Sequence, residues 1–93
     1  MIEGSDAGRV FEIDARSPSR VYIGQSPSSD FRVTDPHVSR RHVALELTEN
    51  GVRMTDLDST NGTYVDGLRV FSVLLRGDEI VRLGDLALRV ESA

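Results

Sequence analysis

Apolar and polar residues alternate along much of this chain. The segment VALEL at 43–47 places valine and leucine on one side and alanine and glutamate on the other, and LALRV at 86–90 repeats the pattern. A period of two is typical of a β-strand with one buried face, whereas a helix repeats every ~3.6 residues. We therefore predict strands at residues 9–14, 20–24, 31–33, 42–48, 52–57, 63–65, 68–70, 79–83 and 86–91.

Turn signals separate the predicted strands. The dipeptides Asn-Gly at 50–51 and 61–62 and Asp-Gly at 66–67 favour tight hairpins, because these residue types tolerate positive φ. A helix with Ser39 as its N-cap is the alternative for the segment that follows, but the apolar residues there would not share one helical face. Many short strands joined by turns predict an all-β, two-sheet antiparallel β-sandwich. We expect the first eight residues and the last two to be frayed ends.

The length and composition of the chain limit the class of protein. Its 93 residues fit a single domain spanning 1–93, with a core at about 9–91. The chain has no cysteine, which excludes disulfides, thiol nucleophiles and cysteine-bound zinc. It has neither an apolar run of ~18 residues nor a recognisable signal peptide, so we expect a cytoplasmic protein with no membrane partner.

The charge of the chain argues against nucleic-acid binding. The formal net charge is −4, whereas proteins that wrap DNA or RNA usually carry a basic excess. All 11 basic residues are arginine. Genome composition is one explanation of this bias. The other is recognition of phosphate or carboxylate, which suits the planar, bidentate arginine side chain better than lysine.

Three predicted loops carry the candidate chemistry. They read IGQSPSSDF at 23–31, DPHVSRRH at 35–42 and DLDSTNGTYVDG at 56–67. Loops at one end of a sandwich converge, so together they can build a site that no single segment contains. Ser39 and Arg40 would offer a hydroxyl and a guanidinium to an anion. The alternative is structural, with Ser39 capping a turn and Arg40 solvated.

Two histidines raise the question of catalysis or metal binding. Ser39 and His42 with Asp35 or Asp58 have the residue types of a nucleophile, base and acid. His42 would however lie beside the start of a strand, where a ring nitrogen can brace a loop. His37 and His42 lack third and fourth ligands at a useful spacing for a metal site. We predict no enzymatic activity, no metal and no cofactor.

Several short motifs occur together in a distinctive order. They are Ile23-Gly24, Ser39-x-x-His42, Asn61-Gly62-Thr63, Leu75-x-x-Gly77-Asp78 and Leu83-Gly84. In this order and spacing the chain resembles the forkhead-associated (FHA) domain family over roughly residues 9–91. The sequences of the first two loops are similar to those of FHA domains that precede bacterial sigma-54-dependent transcription activators. The resemblance implies an FHA/SMAD-like sandwich of about eleven short strands, whose end loops bind phosphothreonine peptides.

The resemblance also implies a role for particular residues. The expected phosphopeptide-binding residues are Gln25, Ser39, Arg40, Thr60 and Asn61, and the expected structural residues are Gly24, His42 and Gly62. Ser39, Arg40 and Thr60 would contact the phosphate, and Asn61 would bind the peptide main chain. His37 either tunes selectivity for a residue after the phosphothreonine or is solvated.

One position departs from the family pattern. The usual Gly-Arg is here Gly24-Gln25, so the arginine that normally binds the phosphate is replaced by an uncharged side chain. Either Arg40 and Arg41 compensate, or the loops bind an unphosphorylated partner. We predict a monomeric signalling module that binds a phosphorylated protein or peptide. The alternatives are a phospho-independent interaction scaffold and a regulatory input domain of a sigma-54-dependent activator.

Overall fold

The computed structural model describes residues 2–4, 10–11, 13 and 16–90. This part of the chain contains eleven strands and no helix. The strands are β1 (Ile2–Gly4), β2 (Val10–Phe11), β3 (Val21–Gly24), β4 (Phe31–Arg32), β5 (Val43–Thr48), β6 (Gly51–Asp56), β7 (Thr63–Val65), β8 (Leu68–Val70), β9 (Ser72–Leu75), β10 (Ile80–Leu83) and β11 (Leu86–Val90). No helix that could cross a membrane occurs among the described residues.

The strands form two sheets. One sheet has six strands in the order β2-β1-β11-β10-β7-β8, and the other has five in the order β4-β3-β5-β6-β9. Every pairing between strands is antiparallel except β3 with β4, which run parallel. This arrangement confirms the predicted all-β, two-sheet sandwich.

The core lies between the two sheets and consists of aliphatic side chains. Full burial of one such side chain contributes about 1.5–3 kcal/mol. The core residues are Val21, Ile23, Val33, Val38, Val43, Leu45, Met54, Val65, Leu75, Val81, Leu83, Leu86, Leu88 and Val90. The alternation seen in the sequence accounts for most of this set, since successive residues of a strand point to opposite faces.

Two strands were missing from the sequence prediction, although each predicted segment contains or overlaps a strand. β1 lies within the N-terminal stretch expected to fray, and that expectation is wrong for residues 2–4, which pair with both β2 and β11. β9 lies in the apolar run FSVLL, which does not alternate and so gives no period-two signal. Residues 92–93, also expected to fray, lie outside the described residues.

The strand register gathers several loops at one end of the sandwich. Ile23 pairs with Val43 and Val43 with Asp56 in one sheet, while Leu83 pairs with Thr63 in the other. A hydrogen bond from Thr63 Oγ1 to Asp56 Oδ1 joins the two sheets at this end. We call it the loop end, and it comprises residues 25–30, 33–42 and 57–62 and the turn at 84–85.

Candidate functional site

The segment 39–42 is held against the end of β3 by main-chain hydrogen bonds. The amides of Gln25 and Ser26 donate to the carbonyls of Ser39 and Arg40, at 3.0 and 2.9 Å. The carbonyl oxygen of Arg40 lies only 2.0 Å from the position that a Cβ on Gly24 would occupy. Glycine at position 24 therefore permits the close approach that places Ser39 and Arg40 at the surface.

Ser39 and Thr60 meet at the loop end, although they lie on different loops. The backbone amide of Thr60 donates to the hydroxyl oxygen of Ser39 at 3.0 Å. Because that oxygen acts as the acceptor, the hydroxyl proton of Ser39 remains available to an acceptor outside the protein. Ser39 is half-buried and Thr60 is exposed, so the pair borders solvent.

His42 connects two of the loops beneath this surface. The ring is fully buried, its Nδ1 accepts the amide of Ser39 at 3.0 Å, and its Nε2 lies 2.9 Å from the carbonyl oxygen of Gly62. Acceptance at Nδ1 fixes the neutral tautomer with the proton on Nε2, which donates to Gly62. The ring contacts the amide of Ser39 rather than its hydroxyl, which is not the arrangement of a nucleophile and its base.

Asp56 organises the loop that carries Thr60 and Asn61, and the sequence analysis did not identify it. Its carboxylate accepts the Ser59 amide at 3.1 Å, the Ser59 hydroxyl at 2.5 Å and the Thr63 hydroxyl at 2.6 Å. The Ser59 hydroxyl oxygen in turn accepts the amide of Gly62 at 3.1 Å. A signal was present in DLDS, because an aspartate often accepts hydrogen bonds from residues two or three positions later in a turn.

The pKa values of His42 and Asp56 are both lower than usual. Burial lowers the pKa of His42 below its ordinary 6.5, and the hydrogen bond with Gly62 and the charge of Asp56 offset this only in part. Burial alone would raise the pKa of Asp56, but the hydrogen bonds from Ser59 and Thr63 outweigh it and hold the pKa below 3.8. The folded site thus favours a neutral His42 ring next to an ionised Asp56 carboxylate.

These shifts predict a loss of stability in acid. A folded-state pKa below the unfolded value means that the unfolded chain binds more protons, so stability falls as the pH falls. For His42 the loss begins below about pH 6.5, and for Asp56 it adds below about pH 3.8. The substitution His37→Gln leaves His42 as the single histidine. In this variant we expect the titration of His42 to lower the free energy of unfolding by up to about 1.4 kcal/mol per pH unit. Urea unfolding at several pH values measures the loss.

An NMR titration of the His42 ring provides the direct check on this assignment. The ring should stay neutral at a pH where a solvated imidazole is already protonated. Protonation of the folded protein at or above the ordinary imidazole pKa would contradict the prediction.

A second group of contacts holds Asn61 in place. The side-chain Nδ2 of Asn61 donates one of its two hydrogens to the carbonyl oxygen of His37 at 2.8 Å. His37 Nδ1 lies 2.7 Å from Asp85 Oδ2, and Asp35 accepts the amides of both His37 and Asp85, at 2.8 and 3.1 Å. His37 is therefore exposed but not simply solvated, since its ring is paired with the turn at 84–85.

The same group contains the residues best placed to hold a metal ion. One ligand atom each from Asp35, His37 and Asp85 lies within 4.8 Å of the others. The carboxylate of Asp35 already accepts two backbone amides and the His37 ring lies against the carboxylate of Asp85, so these contacts account for the cluster without a metal.

The cations at the loop end differ in their surroundings. Arg41 stacks over the ring of Tyr22 with its Cζ 5.0 Å from the centroid, so it is directed away from Ser39 as a phosphate ligand. The uncharged Gln25 donates from Nε2 to the carbonyl of Asp35 at 3.2 Å. The exposed Arg40 side chain has no hydrogen bond or ion pair with another described residue. Of the two arginines that could replace the missing one, Arg40 is the one left available.

The five residues expected to bind a phosphopeptide thus lie at one end of the sandwich. Ser39 and Thr60 are in direct contact, Gln25 bonds to the main chain of Ser39, and Asn61 is tied to the same loop through His37. Arg40 directly follows Ser39 at the surface. Their side chains are spread over three loops. The buried contacts of His42 hold two of these loops together, and the main-chain hydrogen bonds of Gln25 and Ser26 attach the third.

Residues 21–84 match the family model described as FHA domain. The glycogen accumulation regulator GarA of Mycobacterium tuberculosis is 36% identical over 85 residues, which are 91% of this chain and 51% of GarA. The FHA domain-containing protein FhaA of the same organism is 35% identical over 84% of this chain and 14% of its own length. This chain therefore spans about half the length of GarA and less of FhaA.

Solved structures show the same similarity. A structure from a study of phosphothreonine-dependent FHA domain interactions superimposes with a TM-score of 0.91 at 29% identity, covering 99% of this chain and 94% of the other. The FhaA FHA domain, solved in complex with the intracellular domain of Rv3910, gives a TM-score of 0.88 at 30% identity and covers 97% of each chain.

Proposed function

The chain belongs to the FHA domain family, and from that premise we propose that its loop end binds a phosphothreonine segment of a partner protein. The observation that carries the proposal is the pairing of Ser39 with Thr60, because it leaves the hydroxyl proton of Ser39 available beside Arg40, whose side chain has no polar partner among the described residues. A similar structure comes from work on phosphothreonine-dependent interactions, and FhaA was solved with a protein domain bound.

The chemistry of a phosphate group fits these donors. Phosphothreonine carries about −1.5 to −2 charges and three acceptor oxygens at neutral pH. Ser39 and Thr60 offer hydroxyl protons, and Arg40 offers a charged donor whose hydrogen bonds are roughly twice as strong as neutral ones. Gln25 adds no charge and already donates to Asp35, so Arg40 carries most of the electrostatic attraction.

Asn61 fits the role of main-chain recognition. One of its amide hydrogens is used by the His37 carbonyl, which fixes the orientation of the side chain. The second hydrogen and the carbonyl oxygen remain for an extended peptide, which presents both an acceptor and a donor. The bound segment would therefore be held by its phosphate at Ser39 and by its backbone at Asn61.

We also propose that the chain acts as a binding module and not as an enzyme. The histidine nearest the candidate hydroxyl is buried and braces two loops, so neither ring nitrogen is available as a base. The proposal extends to a cytoplasmic, monomeric domain that comprises residues 1–93 and needs no cofactor.

Two alternatives use the same loops. Gln25 in place of an arginine favours a scaffold that binds its partner without phosphate, because the site then has one cation fewer. A regulatory input domain of a sigma-54-dependent activator is the other, and the relatives described above give it no support.

Titration with matched peptides tests the proposal. A degenerate peptide library with a central phosphothreonine should bind at least about tenfold more tightly than its unphosphorylated twin, since a charged hydrogen bond contributes about 1.5–3 kcal/mol. The preference should shrink at high salt, because part of it is Coulombic. Equal affinities in isothermal calorimetry would instead favour the phospho-independent scaffold.

A further inference from the structure

We infer that Arg69 and Phe71 form a second contact area for the bound peptide, which selects an aspartate or glutamate side chain close to the phosphothreonine. The inference rests on the proposed function, because it concerns the same bound segment.

Arg69 brings a positive charge to the position next to Asn61. The residue lies in the middle of β8, opposite Tyr64 of β7. A Cβ built on Gly62 would lie 3.1 Å from the Arg69 Nε and 3.4 Å from its Cζ, so the guanidinium covers Gly62. Gly62 directly follows Asn61, which places this cation beside the residue proposed to hold the peptide main chain.

Phe71 provides an apolar surface beside that charge. Phe71 is 70% exposed, and the Cζ of Arg69 lies 5.6 Å from the centroid of its ring. The carbonyl of Phe71 accepts the amide of Asp56 at 2.8 Å, which fixes this residue at the root of the loop 57–62. A large exposed aromatic side chain held at the edge of a site is typical of a protein interaction surface.

The charge of Arg69 is not neutralised within the described part of the chain. Among the described residues, no salt bridge involves Arg69. The flat guanidinium matches a carboxylate through two parallel hydrogen bonds, whereas an apolar or basic side chain would leave it unpaired. An acidic residue of the peptide is therefore the ligand that this surface fits.

The spacing relates this contact area to the phosphate. Gly62 lies two residues after Thr60, a separation of at most about 7 Å along the chain. An extended peptide advances about 3.3 Å per residue. With its phosphate at Ser39 and Thr60, the peptide would bring a side chain two or three positions from the phosphothreonine over Gly62 and Arg69.

The test compares peptides that differ only in one charge. Each peptide has a central phosphothreonine and carries either glutamate or glutamine at one of three positions on each side. Wild type should bind the glutamate peptide about two- to fivefold more tightly at one position, as expected for an exposed ion pair. Arg69→Gln should abolish this difference. Arg76→Gln removes the same charge from an exposed position at the opposite end of the sandwich, and it should retain the preference.

The outcomes separate this inference from the function on which it rests. Unphosphorylated twins of the same peptides are measured in parallel. If wild type prefers the phosphorylated peptides but no glutamate preference disappears with Arg69→Gln, the acidic contact area is wrong and the phosphothreonine site stands. If wild type does not distinguish the twins, the proposed function fails and this inference with it. Equal weakening of glutamate and glutamine peptides by Arg69→Gln would also overturn the inference.

Discussion

Replacement of Arg40 by alanine is expected to weaken phosphopeptide binding by roughly ten- to a hundredfold. The substitution removes a charged hydrogen bond of about 1.5–3 kcal/mol. Residue 25 is a glutamine, so it adds no second positive charge to phosphate binding. The side chain is exposed and makes no hydrogen bond or ion pair with another described residue, so the fold should be unaffected. Calorimetric titration with one phosphothreonine peptide measures the change.

Two further variants frame this expectation. Arg41→Ala removes the same charge from the adjacent residue, but Arg41 stacks on Tyr22, so affinity should change little. Gln25→Arg should tighten binding, because it restores a cation to a loop already held beside Ser39. Equal losses in Arg40→Ala and Arg41→Ala would show that only the overall charge of the domain matters.

Replacement of Gly24 by alanine should disrupt both the fold and the site. The new Cβ would lie 2.0 Å from the carbonyl oxygen of Arg40, and both partners are backbone, so no side chain can move aside. The hydrogen bonds from Gln25 and Ser26 to the segment 39–40 would have to break or shift. We expect a loss of about 3 kcal/mol or more, in the upper range for a single substitution. Chemical denaturation gives the value.

A matched glycine substitution serves as the control. Gly67 lies in the turn between β7 and β8 with φ +86°, and a Cβ there would meet no atom within 4 Å. Asparagine tolerates this backbone conformation, so Gly67→Asn should cost less than about 1 kcal/mol. If Gly24→Ala were equally mild, the close approach to Arg40 would not be needed for stability.

The sandwich could be predicted from the sequence because local patterns encode it. Residues 43–47 and 86–90 alternate clearly, and dipeptides such as Asn50-Gly51 mark the turns. The sequence did not predict β9, because its apolar residues are consecutive. It did not predict β1 at residues 2–4 either, because this strand depends on pairing with a strand at the far end of the chain. Pattern reasoning detects the burial of a face but not the partner that a strand will choose.

The candidate site could be predicted from the sequence only in part. Motif spacing pointed to Ser39, Arg40 and Asn61, which the structure brings to one end. It could not show that Arg41 would stack on Tyr22, or that Arg69 would reach Gly62 from another strand. These contacts depend on the direction of side chains across paired strands, which no single segment specifies.

The contact between Asp35 and Asp85 joins two parts of the loop end that are far apart in the sequence. These residues are 50 positions apart and follow strands of different sheets, so the hydrogen bond from the amide of Asp85 to the carboxylate of Asp35 requires the two sheets to be packed together. Chains dominated by such distant pairings generally fold in milliseconds to seconds, because a long loop must close before any contact rewards it. A newly synthesised copy would therefore assemble its loop end late in folding, when the distant segments have come together. Isolated fragments of the chain should have no measurable affinity for a phosphothreonine peptide.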